Sequence, residues 1–214
     1  MKRTMIVLAA GVALCAPLLV VGAGPSLASP VAHGSATCRM ALGGGGTVSP
    51  GLTPNGSPGG VKINFTAKLV PAPAAKSCNG AVTSPAGTKV IGGVVTGSGF
   101  YLPVPSSGNG SSCANFAGSD KVGNIKVVIN WTTSGSPIAP TTIVYAGNPG
   151  TVTVSGGVDL ITLNTPGSVT KSGSFAFPPT GAPHAVKFKT TLPGPGCGAG
   201  PFSSFHITGG AVSV

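Results

Sequence analysis

Few side chains in this chain could act as acids, bases or nucleophiles. The histidines are His33, His184 and His206, and the only acids are Asp120 and Asp159. Serine-nucleophile catalysis needs a histidine base that is oriented by an acid. No Gly-x-Ser-x-Gly turn between a strand and a helix accompanies these residues. The sequence therefore does not predict a hydrolase with a catalytic triad.

The two aspartates are also the only carboxylates available for glycoside hydrolysis. That reaction needs a pair of carboxyl groups on either side of the scissile bond. Asp120 and Asp159 are distant in sequence, so only the folded chain could make them a pair. We predict a protein that is not an enzyme. An enzyme with a site near Asp120, Asp159 or His206 is the alternative.

A copper site is the metal centre that the residues come closest to providing. Blue-copper sites use two histidines, a cysteine thiolate and a weak axial methionine. His184, Cys197 and His206 lie in one C-terminal stretch, and Met40 is the one methionine after the first five residues. Because we expect Cys197 to be oxidised, we predict no metal and no cofactor.

Lysines at alternating positions form a second distinctive set. They are Lys62, Lys68, Lys126, Lys187 and Lys189, all on the polar side of predicted strands. If these strands share a sheet, the lysines form one cationic, hydroxyl-rich face that could bind anions. The alternative is that they keep a β protein soluble and protect its edges. We expect an anionic cell-envelope polymer as the partner and no nucleic acid, because the basic residues are dispersed.

The first 28 residues have the pattern of a secretory signal peptide. Lys2 and Arg3 form a positive start, residues 5–21 are almost all apolar, and Ala28 ends a small-residue cleavage site. An uncleaved membrane anchor is the alternative, but Pro17 and the short apolar run disfavour a span. We predict cleavage after Ala28, secretion, and no membrane span after cleavage.

Four cysteines follow this segment: Cys38, Cys78, Cys113 and Cys197. An even number in an oxidising compartment predicts two disulfides. Zinc is the alternative, but no two of these cysteines have the close Cys-x-x-Cys spacing of a structural zinc site. We favour Cys38–Cys78 and Cys113–Cys197, which would cross-link each half of the chain locally, although the spacing alone does not decide the pairing.

The composition determines the class of elements that must position these residues. The 214 residues include 36 glycines and 21 prolines, with no Glu and no Gln, which excludes a mainly helical protein. The chain is nevertheless 41% hydrophobic, with a mean hydropathy of +0.42, which excludes a disordered one. These values predict an all-β protein with many short strands and turns.

Strict alternation of apolar and polar residues marks two strands, at residues 61–69 and 125–132. Further strands are predicted at residues 89–102 (two segments with a bulge), 141–146, 151–155, 158–163, 173–177, 185–192 and 202–208. We therefore predict an antiparallel β-sandwich of nine to eleven short strands. The expected organisation is a signal peptide at 1–28, an N-terminal strand with a Gly/Pro-rich loop at 29–60, and a sandwich domain at 61–214. Residues 43–60 are the predicted loop.

Cys113, Trp131 and Cys197 occur in the order seen in immunoglobulin-like domains, where a buried tryptophan packs on a disulfide between the sheets. The chain also resembles small exported proteins of actinobacteria in its Ala/Val-rich leader, its paired cysteines and the segment from Thr47 to Leu52. This resemblance implies an exported β-sandwich and no particular activity. We therefore expect a secreted, non-enzymatic binding or structural module at the cell surface. A carrier of a small apolar ligand between the sheets is a further alternative.

Overall fold

The computed structural model of the protein describes residues 28–56, 60–103, 112, 121–147, 151–155, 158–163, 169–176, 185–190 and 201–214. For residues 101–103, 121–122, 151–155 and 158–160 it describes the backbone alone. Cys113, Asp120, His184 and Cys197 lie outside the described residues, as do residues 1–27 of the predicted signal peptide.

The described chain consists of strands and turns, with no helix in those ranges. The thirteen strands are β1 His33–Gly34, β2 Thr37–Met40, β3 Gly44–Leu52, β4 Val61–Val70, β5 Val82–Ser84, β6 Lys89–Pro103, β7 Lys121–Ser134, β8 Thr141–Gly147, β9 Thr151–Ser155, β10 Val158–Leu163, β11 Val169–Gly173, β12 Ala185–Thr190 and β13 Phe202–Ser213. The prediction of an all-β fold is confirmed.

Eleven of the strands form one antiparallel sheet, and β1 pairs with β5 in a separate two-stranded sheet. The order in the large sheet is β11-β8-β7-β6-β4-β2-β13-β12-β10-β9. β3 also lies between β4 and β13, where it pairs with both. Both β2 and β3 therefore lie between β4 and β13, and each pairs with a different part of those two strands.

This continuous sheet folds over, so that its two arms pack face to face as a sandwich. Phe65 on β4 and Phe188 on β12 have ring centroids 4.9 Å apart, although β3 and β13 lie between their strands in the sheet. In a flat sheet those two strands would be about 14 Å apart, from the spacing of neighbouring strands. Tyr145 on β8 is fully buried, and its phenol lies beside the Val186 backbone of β12. The core therefore lies between the β8-β7-β6-β4 arm and the β13-β12-β10 arm.

The prediction of a loop at residues 43–60 is wrong for its first part. Residues 44–52 form β3, and Val48 and Leu52 on this strand are buried, at 2% and 1% exposure. The glycines in this segment favoured the prediction of a loop, because glycine is ordinarily unfavourable in a strand. A Cβ on Gly46 would lie 2.3 Å from the Phe205 ring, so glycine is required there by a distant strand.

Several other boundaries differ from the sequence prediction, since β7 spans Lys121–Ser134 rather than 125–132 and β13 continues to Ser213 rather than ending at 208. Residues 89–103 form the single strand β6 rather than two segments, although the expected bulge is present between Val90 and Gly92. The strand predicted at 173–177 lies earlier, as β11 at Val169–Gly173. The chain turns away after Gly173, which has a φ of +83°.

Glycines opposite aromatic residues allow the sheet to fold over. In the pairing register, Phe65 lies between Gly97 on β6 and Gly46 on β3. A Cβ on Gly97 would lie 2.0 Å from a Phe65 ring atom. The Phe65 ring therefore lies over backbone rather than over a side chain, and it also meets Phe188 of the other arm. Phe188 in turn stacks with Phe205 at 6.3 Å.

The N-terminal part of the described chain is tied to the sandwich by polar contacts and a disulfide. The Trp131 indole N–H donates to the Thr141 hydroxyl at 2.8 Å, and that hydroxyl donates to the Ser174 carbonyl. The Ala32 N–H donates to the Ser174 hydroxyl at 2.9 Å. The predicted disulfide Cys38–Cys78 is confirmed, and it joins β2 to the segment before β5. Residues 28–56 are therefore integrated into the same fold as the strands that follow.

Candidate binding site on the outer sheet face

The outward side chains of β4, β6 and β7 form a broad polar surface, which we call the lysine face. Cross-strand pairing arranges it in four rows, each with one residue from each strand. The rows are Lys62–Phe100–Asn124, Asn64–Ser98–Lys126, Thr66–Thr96–Val128 and Lys68–Val94–Asn130. Directly opposite residues have Cβ atoms about 4.5–5.5 Å apart, so each row is one contiguous set of side chains.

Alternation along each strand places these residues outward. On β4, Val61, Phe65, Ala67 and Leu69 are buried, while Lys62, Thr66 and Lys68 are exposed. On β7, Ile125, Val127 and Ile129 are buried and Lys126 is exposed. Because successive side chains of a strand point to opposite faces, burying the apolar set brings all three lysines to solvent on one surface.

Few acids are available to neutralise this surface. The chain has twelve basic residues and only two acids, with a formal net charge of +10. The backbone of Asp159 lies on β10, in the other arm, and Asp120 is outside the described residues. The lysine face combines ammonium groups with amide and hydroxyl groups, which can donate hydrogen bonds to an anionic, hydroxylated ligand.

Lys187 and Lys189 are also exposed, but on the other arm. They flank Phe188, whose ring packs on Phe65 inside the sandwich. On β4 the lysines point away from the side that carries Phe65, and on β12 they point away from the side that carries Phe188. Because these two rings face each other in the core, the β4 and β12 lysines point to opposite outer surfaces of the sandwich. The five predicted lysines thus share one sheet but fall into two groups. Arg39 is exposed and lies between the two groups, because in the register Ala211 separates it from Lys187 and Val70 of β4, the next outward residue after Lys68, lies opposite it.

The chain has one tryptophan, Trp131, and two tyrosines, Tyr101 and Tyr145. Trp131 is partly buried, donates to Thr141, and packs edge-on against Phe175 at 5.4 Å. Tyr145 is fully buried, and this burial raises the pKa of its phenol, with the Val186 backbone partly opposing the effect. Only the backbone of Tyr101 is described. Neither Trp131 nor Tyr145 can therefore offer a free ring to a ligand.

Phe100 is the residue that the sequence interpretation missed. Its side chain is 48% exposed in the first row of the lysine face, between Lys62 and Asn124. The sequence does indicate its outward position, because Thr96, Ser98 and Phe100 are at alternate positions of β6 and the first two are polar.

The structure does not bring the described acid–base candidates together. His33 pairs with Ser84 in the two-stranded sheet, whereas His206 is exposed on β13 and pairs with Gly45. Among the described residues there is no group of three His, Cys, Asp or Glu that could hold a metal ion. The rest of the proposed copper set, His184 and Cys197, lies outside the described residues, as does the Cys113–Cys197 pair.

A cleft of about 330 Å³ lies beside the Cys38–Cys78 disulfide. Its lining includes Ser35, Asn79 and Thr88, with Val82 and Val90 as the larger apolar contributions. The Thr88 hydroxyl is buried and has no hydrogen-bond partner among the described residues. The described residues that line this cleft include no aromatic side chain.

No family model, curated protein or solved structure matches this chain. Within the described ranges, no helix is long and apolar enough to cross a membrane. The disulfide fits an extracellular protein, since disulfides persist in oxidising compartments.

Proposed function

We propose that the chain is an exported, non-catalytic binding module whose lysine face holds an anionic polymer of the cell envelope. The observation that carries this proposal is the placement of Lys62, Lys68 and Lys126 on one surface among Asn, Ser and Thr. Lys62 and Lys68 are six residues apart on β4, or about 20 Å along the strand. A short anion would reach only one of them, whereas an extended polymer would contact both ends of the face.

Binding of this kind is electrostatic and responds to salt. Exposed charges are screened beyond about 8 Å at physiological ionic strength. The mature chain should be retained on immobilised polygalacturonate and on a cell-wall preparation at low salt, and it should elute as the NaCl concentration rises. A parent protein that is not retained at low salt would refute the proposal.

Two double variants of equal charge separate the lysine face from general basicity. Lys62→Ser/Lys126→Ser alters the lysine face, and Lys187→Ser/Lys189→Ser alters the other arm. All four side chains are exposed, so neither variant should unfold the protein. We expect the first variant to elute at clearly lower salt than the second. Equal losses would show that net charge alone causes retention.

Export is tested separately. Intact mass of the protein recovered from culture medium should match a chain that begins at Ser29 with Cys38, Cys78, Cys113 and Cys197 all oxidised. Full-length protein in the membrane fraction, or free thiols under denaturing conditions without reductant, would contradict the extracellular part of the proposal.

A further inference from the structure

We propose that Phe100 is a stacking platform for a sugar ring and that Lys62 beside it pairs with an acidic group of that sugar. The ligand of the lysine face is then an acidic polysaccharide. This inference rests on the proposed function and names the class of its ligand. It starts from a large aromatic side chain that is 48% exposed on a surface where the other large apolar side chains are the valines Val94 and Val128.

The neighbours of Phe100 supply the groups that such a sugar requires. Lys62 and Asn124 lie directly opposite it on the two adjacent strands. Ser98 is the next outward residue on β6, and Lys126 lies diagonally, at about 7–8 Å for such positions. A ring stacked on Phe100 would meet an ammonium group on one side and an amide on the other. These groups match a carboxylate and a hydroxyl.

The ring distinguishes a polysaccharide from other polyanions. Polyphosphate carries charge but has no apolar surface, so it would leave Phe100 unused. An aromatic ring offers a flat apolar surface with a negative face, which suits the C–H side of a sugar. Single-stranded nucleic acid can also stack on aromatic residues, and the experiment below tests it directly.

The lysine face contains its own matched control. The row Lys68–Val94–Asn130 repeats the row Lys62–Phe100–Asn124 with a valine in place of the phenylalanine. Val94 is 42% exposed, similar to Phe100. The two rows thus offer the same cationic and amide neighbours around an aliphatic or an aromatic centre.

The experiment compares Phe100→Ala, Phe100→Trp and Val94→Ala for binding to polygalacturonate, polyphosphate and oligo-dT at one low salt concentration. We expect Phe100→Ala to weaken binding to polygalacturonate about fivefold, the size of an aromatic contact. Phe100→Trp should bind polygalacturonate like the parent, because it keeps an aromatic ring at this position. Val94→Ala should also bind like the parent. Binding to polyphosphate should be the same for all three variants. Urea midpoints near that of the parent will show that each variant is folded.

The outcomes distinguish this inference from the proposed function. If Phe100→Ala binds polygalacturonate like the parent while Lys62→Ser/Lys126→Ser does not, stacking is refuted and the proposed function stands. If the parent binds no polyanion, both fail. If oligo-dT binds more tightly than polygalacturonate and its binding depends on Phe100, the assignment to a polysaccharide is overturned.

Discussion

Lys171 occupies an unfavourable position for a cation. It lies on β11, the edge strand of the large sheet, and pairs with the fully buried Ile143. Burial lowers the pKa of its ammonium group from the ordinary 10.5 to about 8. A charge that points inward on an edge strand discourages edge-to-edge pairing with another chain. Lys171 would therefore protect this edge from aggregation, although its burial destabilises the folded protein.

This position predicts a pH-dependent stability. The folded pKa lies below the unfolded one, so the unfolded state binds more protons between about pH 8 and 10.5. The free energy of unfolding of the parent should therefore rise as the pH increases from 8. Lys171→Met should be more stable than the parent at pH 7 and should lack this rise, whereas the exposed Lys126→Met should behave like the parent. Urea titrations at several pH values measure this, and a variant less stable at pH 7 would contradict it.

Tyr145 should make the free energy of unfolding fall at alkaline pH, in contrast to the rise expected from Lys171. Its hydroxyl is buried without a hydrogen-bond partner among the described residues, and it approaches the Val186 backbone outside hydrogen-bond geometry. Because its folded pKa is raised, the parent should lose stability as the pH rises above about 10, the unfolded value. Tyr145→Phe should remove that loss and should gain up to about 1 kcal/mol at pH 7, since an unpaired buried hydroxyl is costly. A decrease of more than about 1 kcal/mol would show a strong hydrogen bond instead.

At the scale of elements, the contact between Phe65 and the β6 backbone links strand pairing to the folding of the sheet. Gly97→Ala would place a Cβ within 2.0 Å of the Phe65 ring. That ring is buried and also packs on Phe188, so displacing it would disturb the contact between the two arms. We expect a loss of about 1–3 kcal/mol, as for other overpacked cores, measured from urea midpoints at constant m. The exposed neighbour Ser98→Ala should change stability by less than about 0.5 kcal/mol, and an equal effect of both variants would refute the packing argument.

For the whole molecule, the Cys38–Cys78 disulfide constrains the chain across a separation of 40 residues. Such a cross-link stabilises mainly by restricting the unfolded state, by about 2–4 kcal/mol. Cys38→Ala/Cys78→Ala should lower the free energy of unfolding by that amount while keeping the β-sheet circular dichroism spectrum. An unchanged urea midpoint would show that the unfolded chain is already compact in this region.

What could be predicted from the sequence were local properties of the chain. The alternation of residues 61–69 places Lys62 and Lys68 on one side of β4, and the absence of Glu and Gln with abundant glycine and proline indicates an all-β protein. Both follow from the period of a single strand and from composition, which need no knowledge of neighbours.

Only the tertiary structure decided which strands are neighbours and where the sheet folds. Strand β3 was not predicted, because Gly46 is explained by Phe205, a residue more than 150 positions away. The Lys62–Phe100–Asn124 row exists only because β4, β6 and β7 pair in this register. The separation of Lys187 and Lys189 from the lysine face depends on the Phe65–Phe188 contact between the arms. Strand pairing and core packing bring together residues that are far apart in sequence. The residue pattern within one strand therefore cannot predict which strands will be its neighbours.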